Sequence, residues 1–316
     1  RALQVSDPKQ VLGYNNPAEL LAVEEAFRAS RRAVAADLPD GRFMPVSRWL
    51  SELDTWVPEG QLRDASGIGS AFLEIYGRSA ELLAERRRAY QELLLAAGQY
   101  LGVDARVALV RSPGRANILG RHIDHQGGNC NLLAINKEVI MVVRARDDDQ
   151  VTIRNIANHA FPEQQFTISE LLARLPWDDW ISLVNSPPVM DMVRNARGDW
   201  GQYVRAAVLR LQKRYPDRAL KGMDLIVSGN IPIAAGLSSS SALVVATAEA
   251  VIAVNNLDIK PAQFVDLCGE GEWFVGTRGG SADHAAIKYG QRGKVTQVTF
   301  FPFGVSKIVG FPNDYR

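Results

Sequence analysis

Four consecutive serines, Ser238 to Ser241, follow Gly236-Leu237 and run without a break into Ala242-Leu243-Val244-Val245-Ala246-Thr247-Ala248-Glu249-Ala250-Val251. That apolar run contains neither Gly nor Pro and is a helix former, so the serines stand at a helix start. A helix N-terminus presents N–H groups without intrahelical partners and the positive end of the macrodipole. With hydroxyls beside them, these groups favour a phosphate or polyphosphate. A serine oxygen at this place can also reach a Mg2+ held between phosphates. Capping of a buried helix needs one serine rather than four, so anion binding accounts better for the segment. No G-x-x-x-x-G-K-[ST] occurs in the 316 residues, which disfavours a P-loop enzyme and leaves this helix start as the phosphate cradle.

Two further segments carry chemistry. The stretch Arg111-Ser112-Pro113-Gly114-Arg115-Ala116-Asn117-Ile118-Leu119-Gly120-Arg121-His122-Ile123-Asp124-His125-Gln126-Gly127-Gly128 sets charged and polar groups among glycines directly after a strand pattern. It is expected as a binding loop positioned by the scaffold. His122 and His125 suggest zinc only weakly, since no third-ligand motif accompanies them. In Gly276-Thr277-Arg278-Gly279-Gly280-Ser281-Ala282-Asp283-His284, a glycine-rich turn feeds a short apolar segment. Asp283 at that junction could take a proton from a substrate hydroxyl; taken alone, it reads first as a helix cap. A Ser281, Asp283, His284 hydrolase triad is weak, because adjacent Asp and His point to different sides of a helix or strand.

Around these segments the pattern predicts a helix from Asn16-Pro17 to about Ala36 and a second from Ser79 to about Gly102. Strands are expected at 106–110, 138–144, 151–156 and 223–227. A helix face of Trp200, Tyr203, Val204, Ala207, Val208 and Leu211 reads as core packing. Residues 37–78 receive no regular assignment, and Ser66-Gly67-Ile68-Gly69-Ser70, half of a dinucleotide fingerprint, reads as a flexible turn. Strands followed by interleaved helices indicate an α+β or mixed α/β domain.

Thirty-six Lys and Arg nearly cancel 35 Asp and Glu, so nucleic acid is not an expected partner; the densest basic run, Arg86-Arg87-Arg88, reads as a solvated helix face. No apolar run approaches the roughly 18 residues of a membrane span, and no signal-peptide pattern opens the chain, which begins at Arg1. Cys130 and Cys268 stand far apart in no metal or redox spacing, which points to a reducing compartment, the cytoplasm by default.

Taken in order, the Ser-Pro-Gly-Arg-Ala-Asn-Ile-Leu-Gly-Arg-His-Ile-Asp segment, the Gly-Leu-Ser-Ser-Ser-Ser-Ala helix start and the Gly-Gly-Ser-Ala-Asp-His turn resemble the galactokinase branch of the GHMP kinases. The resemblance covers about 80–316 and is narrower, at His122 to Gly128 and Gly276 to Arg278, toward plant galacturonokinases. It implies a ribosomal-protein-S5-domain-2-like α+β N-terminal lobe at 80–316, a mostly helical extension of unassigned role at 1–79, and a C-terminal lobe largely missing from the chain. The implied reaction is phosphoryl transfer from ATP, with Mg2+, to the anomeric hydroxyl of galactose or a related sugar such as galacturonate. Its partners would be small molecules.

By position, the resemblance makes Asp283 and Arg115 catalytic, and makes Arg121, His122, Asp124 and Gly280 sugar-binding. It assigns Gly236, Leu237, Ser238, Ser239, Ser240 and Ser241 to the ATP phosphates, with Ser239, Ser240 and Glu272 at the metal. The family's metal-binding acid falls at Gly271, between Glu270 and Glu272, so either one is a candidate. Arg121 stands where galactokinases carry Glu, and His125 where they carry Tyr, which leaves galactose and an acidic sugar both open. A mevalonate-type kinase fits less well, since its first motif lacks the His-x-Asp pair of His122 and Asp124. The other function class open to such a chain is a non-catalytic sugar and ATP sensor; Asp283 and Arg115 favour the enzyme.

Overall fold

The structure, a computed structural model, describes residues 43–55, 67–177, 179–195 and 199–310. The helix expected at 17–36 lies outside the described residues. Among them, eight strands form one mixed sheet: β1 (Met44–Pro45), β2 (Arg106–Leu119), β3 (Cys130–Ala145), β4 (Gln150–Asn155), β5 (Gln164–Thr167), β6 (Met223–Gly229), β7 (Lys294–Thr299) and β8 (Gly304–Gly310). Their order is β1-β2-β3-β6-β4-β5, with β7 joined to the start of β3 and β8 to β7. All pairs are antiparallel except β4 with β6. That parallel pair requires a crossover, supplied by β5 and four helices: α4 (Ile168–Arg174), α5 (Trp180–Val184), α6 (Pro187–Asn195) and α7 (Gly201–Arg214). Mixed strands and helices in one chain agree with the expected class.

The alternation of side chains along β3 decides how the sheet is covered. Val139, Met141 and Val143 face one apolar cluster, with Leu225 and Val227 of β6, packed under α7, α8 (Ser239–Asn255) and α9 (Pro261–Gly271). Ile140 and Val142, with Ile226, face the other, packed under α1 (Val46–Thr55), α2 (Gly67–Tyr76) and α3 (Ala80–Leu101). Both faces of the central strands are therefore buried, which is why Val139–Val143 reads as a continuous apolar run. Each such aliphatic side chain contributes about 1.5–3 kcal/mol by leaving water. A third, smaller cluster seats α10 (Ala282–Tyr289) on Cys130, Leu132 and the β7–β8 hairpin.

Helix α3 matches the expected span, with the Ser79 hydroxyl accepting from Leu82 N and Gly102 closing the helix at φ +91°. Other expectations change. Residues 37–78 are not without regular structure, since β1, α1 and α2 lie there; Met44, Trp49, Leu53, Ile68 and Phe72 share a cluster with Leu83 and Leu93 of α3, so packing runs on across residue 79. Within the half-fingerprint, Gly67–Ser70 is a helix start, not a flexible turn, with Gly67 at φ +59° opening α2, while Ser66 lies outside the described residues.

A further change concerns Arg86, which is not on the solvated face. Helical spacing sets it in line with Leu83, Tyr90, Leu93 and Ala97, and it is 4% exposed. Its charge is met by Glu138 on β3, whose Oε1 lies 3.4 Å from Arg86 Nη1 and accepts from the Tyr76 hydroxyl at 2.7 Å, while Oε2 pairs with Arg111 Nε. Burial first, then the Glu138 charge, holds the Tyr76 phenol protonated. A paired carboxylate thus ties α2 and α3 to the sheet.

Candidate active site

Strand β2 runs farther than expected. Pairing with β3 continues past Val110, with Arg115 opposite Ala134 and Leu119 opposite Asn131, so Arg115 sits on a strand, not in a loop. The register shifts between Pro113 and Arg115, where proline offers no N–H to the ladder. Gly114 lets the strand touch the serine-rich segment, since a Cβ there would lie 2.8 Å from the Leu237 carbonyl oxygen.

The segment between β6 and α8 is held in an unusual backbone. Its start is anchored by Asn230, whose N–H donates to Glu138 O at 3.0 Å and whose Oδ1 accepts from Glu138 N at 2.8 Å. Ala234, Gly236 and Ser238 all have φ near +60°, which costs about 1–2 kcal/mol at each non-glycine position. Arg115 holds this conformation from the strand side. Its backbone N–H donates to Leu237 O at 3.1 Å, and its Nη1 donates to Gly236 O at 2.7 Å. Strain of this kind persists where the surroundings over-determine it, typically at a ligand site.

Helix α8 begins directly after Ser238, as expected from the serine run, and no side chain caps it. The four serines divide by role. Ser238 Oγ donates to Asp283 Oδ2 at 2.5 Å, and Ser241 Oγ lies 3.5 Å from the same oxygen. Ser239 and Ser240 are left half-buried at the free N-terminus of the helix, with Gly236 exposed beside them. The hydroxyls of Ser238 and Ser241 are thus turned to Asp283 rather than outward.

Asp283 is the second residue of α10, and Arg115 Nε donates to its Oδ1 at 2.6 Å. Burial alone would raise its carboxyl; the Arg115 bond and charge, with the Ser238 hydroxyl, outweigh this and hold it below the ordinary range. Asp283 is ionised at neutral pH. It does not cap its helix by a side-chain bond, and the simple cap is thereby replaced by an Asp–Arg–Ser cluster.

One residue earlier, Ala282 N donates to Asp124 Oδ2 at 3.2 Å. Asp124 opens a 3-10 turn (Asp124–Gln126), is largely buried, and presses on Gly280, where a Cβ would lie 2.4 Å from that oxygen. Asp124 and Asp283 therefore meet the same chain turn from two sides. Arg121 and His122 lie on the exposed turn leading into this one, His122 at φ +62°. Cys130 lies beneath, its Sγ donating to Gly120 O at 3.0 Å. Burial, then the charges of Asp124 and Asp283, push its thiol up to about 11, which leaves it unreactive.

On the far side of the serines, the two candidate acids differ. Glu270 is spoken for, its Oε2 accepting from Arg210 Nε at 2.7 Å. Glu272 is buried, and its Oε1 has no hydrogen-bond partner. Tyr203, read from sequence as core packing, reaches this corner. Its phenol is raised by burial first and by the Glu272 charge second, while contact with Ser240 pulls the other way. Among the described residues no three His, Cys, Asp or Glu side chains gather as metal ligands. A buried carboxylate whose Oε1 has no hydrogen bond, and whose charge reaches the Tyr203 phenol that touches Ser240, suits Mg2+, a hard ion that takes one or two carboxylates and completes its shell with water and substrate phosphates.

Residues 202–291 match the family of GHMP kinases N terminal domain, and residues 99–145 match the galactokinase galactose-binding signature. The galactokinase of Schizosaccharomyces pombe is 32% identical over 61% of this chain and 36% of its own length; that of Candida albicans is 27% identical over 76% and 44%. The chain thus spans well under half the length of these curated relatives. Lactococcus lactis galactokinase, solved in complex with galactose, superposes with a TM-score of 0.58 at 22% identity, over 71% of this chain and 52% of its own, and so shares the fold. The helix α8 cradle and Asp283 lie within the first matched segment, and Arg115, Asp124 and the β2–β3 hairpin lie within the second. Both matches thus fall on one continuous sheet-and-helix frame, which carries the GHMP kinases N terminal domain match at 202–291 and the galactokinase galactose-binding signature at 99–145.

Proposed function

We propose that the protein acts as an ATP-dependent sugar 1-kinase, transferring a phosphoryl group to the anomeric hydroxyl of galactose or a related sugar such as galacturonate. The observation that carries this reading is the meeting of Arg115, Ser238 and Asp283 at the start of α8, one residue from the Asp124–Ala282 contact. ATP phosphates belong in the cradle of Gly236 to Ser241, where free N–H groups, the helix dipole and the hydroxyls of Ser239 and Ser240 face them. The sugar belongs on the Asp124–Gly280 side, with Arg121 and His122 at its rim.

Asp283 accepts a hydrogen bond from the anomeric hydroxyl, orients it toward the γ-phosphorus and takes its proton as the new P–O bond forms and the bond from the γ-phosphorus to the bridging oxygen breaks, releasing ADP. A carboxyl held below its ordinary range is a weak base, which suffices because phosphoryl transfer has a loose transition state with little early demand on the nucleophile. Arg115 balances the Asp283 charge and offsets negative charge developing on the transferred group. Glu272, with Ser239 or Ser240, would hold Mg2+, which when bound neutralises phosphate charge. Residues 80–310 supply this whole arrangement, with 43–76 as an added layer on the opposite sheet face. The two buried free cysteines support a reducing, cytoplasmic setting. The pairing of Asp283 with Arg115 supports an enzyme over a sensor.

The test is a panel of galactose, galacturonate and other hexoses with ATP and Mg2+, read as sugar-dependent ADP release by the wild type and Arg121→Glu. Sugar-dependent turnover is the expected result, with the preference for an acidic sugar reduced in Arg121→Glu. Guanidinium–carboxylate pairing of about 1.5–3 kcal/mol corresponds to roughly tenfold or more between the two sugars. ADP release that no sugar stimulates would refute the proposed function.

A further inference from the structure

Beside the cluster that holds Asp283 lies a second contact that the proposed chemistry has not used. His284, the next residue of α10, is 1% exposed, and neither of its ring nitrogens has a hydrogen-bond partner. Its Nε2 lies 3.4 Å from Glu272 Oε1, itself buried and without a hydrogen-bond partner. On its other side the ring packs on α9 at Gly269, where a Cβ would lie 3.7 Å from Nδ1 and 2.8 Å from the Ser281 Cβ. The ring therefore fills the gap between α9, the 3-10 turn Glu272–Val275 and the start of α10.

Buried polar side chains are nearly always partnered, and a buried carboxylate is paired or coordinates a metal. Three orphaned atoms on two touching side chains call for an explanation in ligand terms. Packing alone would be served by an apolar side chain of similar size, as Phe274 and Leu267 serve nearby. Glu272 is the acid whose charge reaches the Tyr203 phenol, itself in contact with Ser240, whereas its neighbour Glu270 is turned to Arg210. His284 is thus placed to act on the one carboxylate left for a divalent cation.

We propose that His284 is a positioning residue: its Nε2–H fixes the rotamer of Glu272 so that the free carboxylate edge meets a divalent cation held with the nucleotide at Ser240. This rests on the kinase reading above and deepens it, since His284 would join the metal-side acid to the helix that carries Asp283. A displacement of Glu272 would then be felt at the metal and not at the sugar, which is bound through Asp124 on the other side of the turn.

Isothermal calorimetry of Mn2+ binding to the full chain with a non-hydrolysable ATP analogue tests the proposal without turnover. His284→Leu keeps the ring's bulk and removes the donor, whereas His284→Gln keeps a donor. Loss of an outer-shell partner typically costs metal affinity about 10- to 100-fold, so that weakening is expected in His284→Leu, with recovery in His284→Gln and an unchanged sugar KM. Glu272→Gln should weaken Mn2+ similarly, and adding His284→Leu to it should cause little further loss, because the two side chains act as one unit. A folded His284→Leu protein with wild-type Mn2+ affinity overturns the positioning role. So does a His284→Gln protein as weak as His284→Leu, which would show that ring shape alone matters. A wild type that neither binds the Mn2+–nucleotide nor phosphorylates sugar would instead overturn the kinase reading beneath it, and this proposal with it.

Discussion

Replacing Gly280 with alanine isolates the contact between Asp124, the acid proposed for the sugar side, and the helix that carries Asp283. Gly280 is not in the left-handed region, so alanine meets no backbone strain, and the effect is one of space. The added Cβ would lie 2.4 Å from Asp124 Oδ2, 2.5 Å from its Cγ and 2.9 Å from His125 N. Ordinary contact begins near 3.4 Å, so the carboxylate must retreat by about 1 Å, and it cannot then keep its 3.2 Å bond from Ala282 N. A hydrogen bond to a charged group is worth about 1.5–3 kcal/mol, and overpacking costs about 1–3 kcal/mol. A misplacement of about 1 Å at a positioning group can cost on the order of 100-fold in rate. Gly280→Ala should therefore raise the sugar KM or lower kcat/KM for sugar by at least about tenfold, the equivalent of 1.4 kcal/mol, while nucleotide affinity is unchanged. Steady-state kinetics with each substrate varied, and calorimetry with sugar and MgATP separately, read the two effects apart. A folded alanine variant with wild-type sugar kinetics would refute the assignment of Asp124 and Gly280 to the sugar side.

Other consequences follow from the same geometry. Ser239→Ala with Ser240→Ala should weaken MgATP binding and leave sugar affinity alone; an unchanged MgATP affinity by calorimetry would make these serines helix-start residues without a phosphate role. Arg86→Met should cost about 1–3 kcal/mol, less than a wholly orphaned buried charge because Arg111 and Tyr76 still meet Glu138, and an unchanged urea midpoint would contradict this. The depressed carboxyl of Asp283 contributes stability that is fully present above the unfolded aspartate value of about 3.9 and is lost as pH falls from there through the folded value. Asp283→Asn should accordingly flatten the acid limb of the stability curve, and an identical acid limb in the variant would mean that the pair with Arg115 does not stabilise the fold.

The start of α8 is legible because its signal is local: a glycine, four serines and an apolar helix former mark it almost by themselves. The placement of Arg115 was not, because Pro113 and Gly114 read as loop punctuation, while long-range pairing with β3 carries the strand through them to Leu119. Arg86 departs from its sequence reading for a related reason. A run of three like charges suggests solvent, yet the helical period sets its first member on the buried stripe, where Glu138, 52 residues away in sequence, receives it. The division of labour among the serines depends on Asp283 arriving from α10, more than 40 residues on, and no local pattern announces that. In the sequence His284 belongs only to a weak triad pattern; burial and the contact with Glu272 single it out. The different surroundings of Glu270 and Glu272 likewise depend on Arg210, which arrives from α7 to pair with the first of them.

Phosphorus NMR of the reaction with ATP, Mg2+ and the preferred sugar, run side by side for wild type and Asp283→Asn, tests most directly whether Arg115, Asp283 and the serine cradle make a sugar 1-kinase. The account predicts an anomeric phosphate ester from the wild type, and from the variant a rate lower by about 10²- to 10⁴-fold, the span of general-base contributions, with MgATP binding retained. Phosphate on a different hydroxyl, no sugar phosphate at all, or equal rates from the two proteins would contradict it.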